Sequence, residues 1–175
     1  MNRSDSRTLL ILRHAKAEAP WGTPDHARGL MPRGLEQARW IGEYLREQRL
    51  IPDGATISDS HRTRSTYAML ASELGDDAPS AYLDSRLYDA PASRVLSVIN
   101  ETPATVRSLI VVAHQPAVQE LAMRLAAVDS NEEAVWEMAS DYPTAGLCVF
   151  EVPGEWDTLD GRDAVLTDFI TPPRG

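Results

Sequence analysis

The chain has 175 residues, of which 43% are hydrophobic and 25% are charged. These proportions are typical of one globular domain, which we expect over residues 1–175, with its core over about residues 8–170. The formal net charge of -9 argues against nucleic acids and anionic membranes as partners. A polar N-terminus and a brief apolar run fit neither a signal peptide nor a membrane span, so a cytoplasmic location without membrane contact is predicted.

The negative charge is concentrated at one end of the chain. Residues 1–128 carry 15 basic and 15 acidic side chains, whereas residues 129–175 carry 2 and 11. The acidic segment after residue 128 either docks a basic partner or keeps the protein in solution, and the second role is favoured.

The first predicted strand ends in two side chains that suit a phosphate group. Residues 9–12 form a continuous apolar run, which is typical of a strand buried on both faces. Arg13 and His14 follow at its carboxyl end, where open α/β sheets bind their ligands. Because an Arg-His pair also follows core strands by chance, the interpretation depends on the remaining strands.

A loop and the first helix come next. Prolines and glycines punctuate residues 18–31, so this segment is predicted to be a loop that carries Asp25, His26 and Arg28 beside the strand end. A helix begins at residues 32–34, since proline suits a first turn. Its apolar stripe is predicted to be Leu35, Ala38, Ile41 and Leu45.

The second predicted strand, residues 55–58, also runs into polar residues. Asp59 or Ser60 caps the following helix, which Arg62 opens. Arg64 is expected to face solvent, and His61, like His26, is interpreted as a loop or cap residue. Asp76 and Asp77 are adjacent aspartates that follow this helix, and they indicate a solvated turn rather than a metal site.

A third strand is predicted at residues 81–83, followed by a loop over residues 84–90 and a helix over residues 92–101. Residues 109–113 are apolar and rich in β-branched side chains, so they form the most strongly indicated strand, which ends at His114. Pro116 begins the next helix, whose N-terminal amides favour an anion at the strand end.

The last part of the chain completes an α/β pattern. Residues 129–141 are predicted to be partly helical, with Trp136 and Met138 covering the core, and residues 144–152 and 163–170 to be strands. Cys148, the sole cysteine, is expected in the core. The alternation of strands and helices predicts a three-layer αβα sandwich with a mostly parallel central sheet.

Three strand ends should therefore meet at one edge of the sheet. They bring two histidines and two arginines together, and their mutual repulsion is relieved by an anion such as a phosphoryl group. Arginine forks and histidine donors can bind the phosphoryl oxygens while a nucleophile attacks in line. The common nucleotide-binding loops and the zinc motifs are absent from the sequence, so no cofactor and no metal are expected.

The sequence resembles the histidine phosphatase superfamily, specifically its compact SixA-type phosphohistidine phosphatases. The resemblance spans roughly residues 8–152, and its specificity lies in the order and spacing of several short motifs. These motifs are Leu12-Arg13-His14-Ala15, residues 25–30 with 33–34 and 37–38, residues 58–66, residues 87–90, residues 111–116 and Tyr142-Pro143-Thr144-Ala145-Gly146.

The resemblance implies a phosphoglycerate mutase-like fold and assigns roles to individual residues. It implies that His14 is the nucleophile and becomes transiently phosphorylated, while Arg13, Arg62 and His114 bind the phosphoryl oxygens. Arg28 matches a further arginine near the pocket and is predicted to be a fourth phosphate ligand, the alternative being a surface arginine in a loop.

The general acid is the least determined part of the prediction. Asp89 is the candidate and Asp84 the second choice. A phosphohistidine leaves as an imidazole that already carries its proton, so it needs less help than an alkoxide. This favours a phosphoramidate substrate without excluding small phosphate esters, and the leading hypothesis is a phosphohistidine phosphatase that acts on a phosphorylated protein.

Two alternatives stay open. One is a phosphomonoesterase that acts on a small phosphorylated molecule; the other is a catalytically silent phosphate-binding module. Phosphoglycerate mutase activity is less favoured, because the short loops offer little material for a lid. A monomer is expected.

Overall fold

The first strand is buried on both faces, as its continuous apolar sequence predicts. The computed structural model describes residues 5–174, and β1 covers Arg7–Arg13. Leu9 and Ile11 pack into the core on one side of the sheet, whereas Leu10 and Leu12 pack into the core on the other. All four side chains are fully buried, so β1 lies at the centre of a sheet with helices on both faces.

Within residues 5–174 the sheet has six strands, and four of them form parallel pairs with one another. The other strands are β2 (Gly54–Ser58), β3 (Ala81–Asp84), β4 (Ser108–Ala113), β5 (Leu147–Val152) and β6 (Val165–Ile170). Their order is β3-β2-β4-β1-β5-β6. The pairs β1–β4, β2–β4 and β2–β3 are parallel, while β1–β5 and β5–β6 are antiparallel. The carboxyl ends of β1, β2 and β4 therefore meet at one edge.

In the described part of the chain, five α-helices cover the two faces of the sheet. They are α1 (Pro32–Glu47), α2 (His61–Leu74), α3 (Ala92–Asn100), α4 (Ala117–Leu125) and α5 (Glu132–Ser140). Helices α1 and α2 share one core with the sheet, and α3, α4 and α5 share the other. The predicted three-layer arrangement with a mostly parallel sheet is confirmed.

Local predictions were confirmed at several positions and wrong at two. Cys148 is fully buried, as expected. Leu35 does not belong to the buried stripe of α1; Gly34 and Gln37 are buried instead, because they lie against the backbone of Lys16. Trp136 does not cover the core and is 71% exposed, because α5 turns Ala134 and Met138 inward.

Among the helices of residues 5–174, none has the length and apolar character needed to cross a membrane. The prediction that no signal peptide is present rests partly on the first four residues. These residues lie outside the described part of the chain.

The contact between α1 and α2 depends on a glycine. A Cβ atom on Gly42 would lie 2.5 Å from the Leu70 carbonyl oxygen and 2.8 Å from Glu73 Cβ. We expect Gly42→Ala to lower the free energy of unfolding by about 2 kcal/mol, since the clash outweighs the better helix propensity of alanine. Urea unfolding measures the change.

Gly161→Ala is the matched control, because a Cβ there would meet its nearest neighbour at 3.5 Å. Its unfolding free energy should change by less than about 0.5 kcal/mol. Equal stability of the two variants would contradict the close-packing account.

Candidate active site

Two buried histidines meet at the carboxyl ends of the central strands. His14 follows β1, and its backbone N–H donates to the carbonyl oxygen of Ala113, the last residue of β4, at 3.1 Å. His114 follows β4. The two ring centroids are 5.4 Å apart, and each residue is 8% exposed. Parallel pairing of β1 with β4 thus brings the histidines into one place.

The histidines line a cleft of about 280 Å³. Basic side chains dominate its wall, and no aspartate or glutamate of the described chain is among the lining residues. The full set is Arg13, His14, Lys16, Ala17, Arg28, Arg62, His114, Gln115 and Thr144. In a protein whose net charge is -9, this cleft is a local concentration of positive charge that suits an anionic ligand.

A single hydrogen bond fixes the tautomer of His14. Its Nδ1 lies 2.8 Å from the carbonyl oxygen of Ala15. A carbonyl oxygen only accepts hydrogen bonds, so Nδ1 carries the proton. The lone pair of the neutral ring is therefore on Nε2, which is the arrangement that a nucleophilic histidine requires.

The surroundings of His14 keep its ring neutral. Burial, together with the positive charges of Arg62, Arg13 and Arg28, lowers its pKa from 6.5 to about 4, against the opposing effect of the Ala15 carbonyl. Near pH 7 the ring is accordingly unprotonated at Nε2 and available for attack on an electrophile.

His114 is also neutral, and one of its ring nitrogens has no partner. Burial, followed by the neighbouring His14 and Arg62, lowers its pKa to about 3. Nε2 lies 2.8 Å from the hydroxyl oxygen of Ser58 at the end of β2. When that hydroxyl donates, Nδ1 carries the proton, and Nδ1 is buried without a hydrogen-bond partner.

Arg13 and Arg62 are each held at one end of the guanidinium and unpartnered at the other. NH1 of Arg13 donates to the Tyr142 carbonyl oxygen at 2.9 Å, and NH1 of Arg62 donates to the Asp25 carbonyl oxygen at 2.8 Å. The Nε atoms of both arginines are buried and have no hydrogen-bond partner among the described residues. Because buried donors without partners are costly, these groups are suited to bind a ligand.

Asp25 is a residue of the site that sequence reasoning placed in the loop but gave no role. Its carboxylate accepts hydrogen bonds from Arg28, Arg62 and the Tyr88 hydroxyl. The Tyr88 hydrogen bond, with help from both arginines, holds the pKa of this carboxyl well below its usual range. In the sequence Asp25 belongs to the motif of residues 25–30, and Tyr88 belongs to the motif of residues 87–90.

Arg28 reaches the cleft, but its guanidinium already has partners. Nε and NH2 donate to Asp25 Oδ1 at 3.0 and 2.9 Å, and NH1 donates to the Glu18 carbonyl oxygen at 2.7 Å. Its predicted role as a phosphate ligand therefore requires it to exchange or share these contacts.

The two carboxylates considered for the general acid lie outside the cleft wall. Asp89 is exposed and has a backbone φ of 52°. Asp84 is buried at the end of β3, where its carboxylate bonds to Arg86 at 2.8 Å, which lowers its pKa. The structure brings His14, Arg13, Arg62, His114 and Arg28 together at the cleft, but it does not bring either candidate acid into that wall.

The other polar residues singled out in the sequence are accounted for by local structure. Ser60 caps α2 by accepting from the Thr63 N–H, and Arg64 is exposed, both as predicted. His26 bonds to Asp59 and His61 to the Ala27 carbonyl oxygen. Within residues 5–174, His, Cys, Asp and Glu side chains form no group of three or more that could hold a metal.

A titration of His14 tests the electrostatics of the cleft. We expect the His14 ring to titrate with a pKa of about 4 in NMR spectra of the folded protein, with the His14→Gln variant assigning the signal. The folded pKa lies below the unfolded value of 6.5, so protonation favours unfolding. The contribution of His14 to stability should fall as pH drops from about 6.5 to 4. A midpoint near 6.5 would show that the ring is not desolvated.

Comparisons with known proteins agree with this geometry. A model of the histidine phosphatase superfamily (branch 1) matches residues 9–90. An uncharacterized protein of Mycobacterium tuberculosis is 37% identical over 162 residues, which cover 92% of this chain and 99% of the relative.

Solved structures show the same similarity over nearly the whole chain. A structure from Nakamurella multipartitia, assigned as a phosphohistidine phosphatase SixA, is 25% identical with a TM-score of 0.83 and covers 95% of this chain and 96% of that one. A second structure with the same assignment, from Agrobacterium tumefaciens, is 26% identical with a TM-score of 0.77 and covers 95% and 98%. A phosphoglycerate mutase from Plasmodium falciparum shares the fold with a TM-score of 0.57 over 97% of this chain and 91% of that one, which confirms the predicted phosphoglycerate mutase-like fold. The chain belongs to the histidine phosphatase superfamily and is SixA-like.

Proposed function

We propose that this chain is a phosphohistidine phosphatase that hydrolyses its substrate through a covalent intermediate on His14. The observation that carries the proposal is the set of three buried, unpartnered nitrogens around the neutral His14 ring: Nε of Arg13, Nε of Arg62 and Nδ1 of His114. A phosphoryl group offers several anionic oxygens that can accept from all three.

Binding of a phosphoryl group would offset two unfavourable features of the cleft, its unpartnered donors and its excess positive charge. The three buried donors would gain charge-assisted hydrogen bonds, which are stronger than bonds between neutral groups. The two negative charges of a dianion would offset part of the positive charge of Arg13, Lys16, Arg28 and Arg62. Since these groups are in place before the reaction, they would also stabilise charge that develops on the phosphoryl oxygens.

In the first chemical step, Nε2 of His14 attacks phosphorus. The new N–P bond forms as the bond between phosphorus and the substrate nitrogen breaks, and the substrate ring, protonated at its other nitrogen, leaves as neutral imidazole. Nδ1 of His14 keeps its proton, which it donates to the Ala15 carbonyl oxygen in a hydrogen bond. In the second step, water attacks phosphorus, the bond to Nε2 breaks, the water protons pass to the phosphate and the solvent, and His14 returns to its neutral form.

The cleft wall supports a phosphoramidate substrate over a phosphate ester. An alkoxide leaving group needs a protonated acid, and the described residues that line the cleft include no carboxyl group. Asp25, the carboxylate bonded to Arg62, is held in its ionised form. The SixA assignments of the structures with 25% and 26% identity support the same substrate class.

Several finer points are part of this proposal. The substrate is a histidine-phosphorylated protein, with a small phosphorylated molecule as the alternative. Arg28 is a further phosphate ligand and Asp89 the acid where an ester is cleaved. The reaction takes place in the cytoplasm in a monomer of one domain, without a cofactor.

The test compares phosphate release from three substrates: a polypeptide phosphorylated on histidine, free phosphoramidate and O-phosphoserine, an ester whose leaving group is an alkoxide. We expect the first two to be hydrolysed faster than the ester, because their nitrogen leaving groups need less protonation. Brief incubation should trap an acid-labile, alkali-stable phosphate on His14. The His14→Ala variant should lose turnover by at least about a thousandfold.

Arg64→Ala is the control, since Arg64 is an exposed arginine on the same helix as Arg62; its turnover should match that of the wild type. Undiminished turnover of His14→Ala would overturn the mechanism. Faster hydrolysis of the ester would favour the phosphomonoesterase, and phosphate binding without release by the wild type would favour the silent module.

A further inference from the structure

Asp25 takes up one edge of Arg62 and leaves the other edge unpartnered. Its carbonyl oxygen accepts from NH1 at 2.8 Å, and its carboxylate Oδ2 accepts from NH2 at 3.1 Å. Nε is buried and has no partner. A guanidinium can bind an oxyanion through either the NH1–NH2 edge or the Nε–NH2 edge, and here Asp25 covers the first.

Arg13 shows the same division on the other side of the cleft. The Tyr142 carbonyl oxygen accepts from its NH1 at 2.9 Å, while its Nε is buried and unpartnered. Arg13 and Arg62 are thus each fixed by a carbonyl group at NH1, and each has a buried Nε that no group of residues 5–174 partners. The difference is that a carboxylate adds a second bond only at Arg62.

We propose that Asp25 is a positioning residue that holds Arg62 with its Nε–NH2 edge available to the phosphoryl group. The proposal rests on the proposed function, because it takes the phosphoryl group as the ligand of Arg62. Asp25 does not touch the reacting atoms in this account; it acts through the guanidinium.

The chain around Asp25 is tied to the beginning of α2 by three consecutive residues. Asp25 bonds to Arg62, His26 Nε2 lies 2.9 Å from Asp59 Oδ1, and the Ala27 carbonyl oxygen lies 3.2 Å from His61 Nδ1. These contacts account for the two histidines to which sequence reasoning assigned no role in catalysis.

Two further side chains fix the carboxylate of Asp25. Arg28 donates to Oδ1 from Nε and NH2, and the Tyr88 hydroxyl donates to Oδ2. Tyr88 also lies beside Arg62, whose Cζ is 5.9 Å from the ring centroid. A carboxylate that is 51% exposed is therefore held by donors on three sides, as a positioning role requires.

Replacing Asp25 changes the affinity for phosphate, and the direction of that change distinguishes a positioning role from a purely electrostatic one. Asp25 is a negative charge near an anion site, so its removal alone should strengthen phosphate binding. If Asp25 instead competes with phosphate for Arg62, its removal should also strengthen binding. Only a positioning role predicts weaker binding after the charge is removed.

The experiment measures the dissociation constant of inorganic phosphate by calorimetry in full-length wild type and variants, together with kcat and KM for phosphoramidate. Asp25→Ala should weaken phosphate binding by about three- to tenfold, a modest effect because the ion pair is partly exposed. The phosphate dissociation constant of Asp25→Asn should lie between those of the wild type and Asp25→Ala, since its amide oxygen can still accept from Arg62. Asp76→Ala, an exposed aspartate in the turn Gly75–Asp77, should change nothing.

The double variant completes the test. In an Arg62→Ala background, Asp25→Ala should cause no further loss of phosphate affinity, because the residue it positions is gone. Unchanged or tighter binding by Asp25→Ala, or a full additional loss in the double variant, would overturn the positioning role. If Arg62→Ala itself left binding unchanged, the proposed function would fail instead. Thermal unfolding confirms that each variant is folded.

Discussion

The site depends on the parallel pairing of β1 with β4. In this register Arg13 lies opposite Ala113, and the backbone N–H of His14 bonds to the Ala113 carbonyl oxygen at 3.1 Å. Two chain segments 100 residues apart in sequence thereby place their histidines side by side, and β2 adds Ser58 from the other edge of β4. A shift of this register by one residue would turn each following side chain to the opposite face.

Burial at this edge determines the chemistry of the histidines. Both rings are desolvated and near arginines, so their pKa values fall to about 4 and about 3 and neither adds positive charge near neutral pH. The positive charge of the cleft is left to groups that stay protonated. A neutral nucleophile next to cationic hydrogen-bond donors can approach an anionic phosphoryl group without the proton transfer that a protonated ring would need. The unpartnered donors lower the stability of the protein, and in the proposed function a bound phosphoryl group supplies the missing hydrogen bonds.

The sequence predicted the strands and the residues that follow them, because apolar runs and their polar ends are local features. It predicted less about features that tertiary contacts determine. The side of α1 that faces the core is set by the close approach of Gly34 to the Lys16 backbone, which left Leu35 exposed. The role of Asp25 depends on how the loop over residues 18–31 folds onto α2, and its partners Arg62 and Tyr88 lie 37 and 63 residues away. Such contacts leave no periodic signal in the sequence.

In the proposed mechanism, Nε2 of His14 faces a phosphoryl group that Arg13, Arg62 and His114 bind. A crystal structure of the protein with bound tungstate tests this arrangement, because tungstate mimics the charge and shape of a phosphoryl group. We expect tungstate next to His14 Nε2, with its oxygens accepting from Nε of Arg13, Nε of Arg62 and Nδ1 of His114. Tungstate bound in the cleft without contact to these three nitrogens would show that the arrangement is wrong.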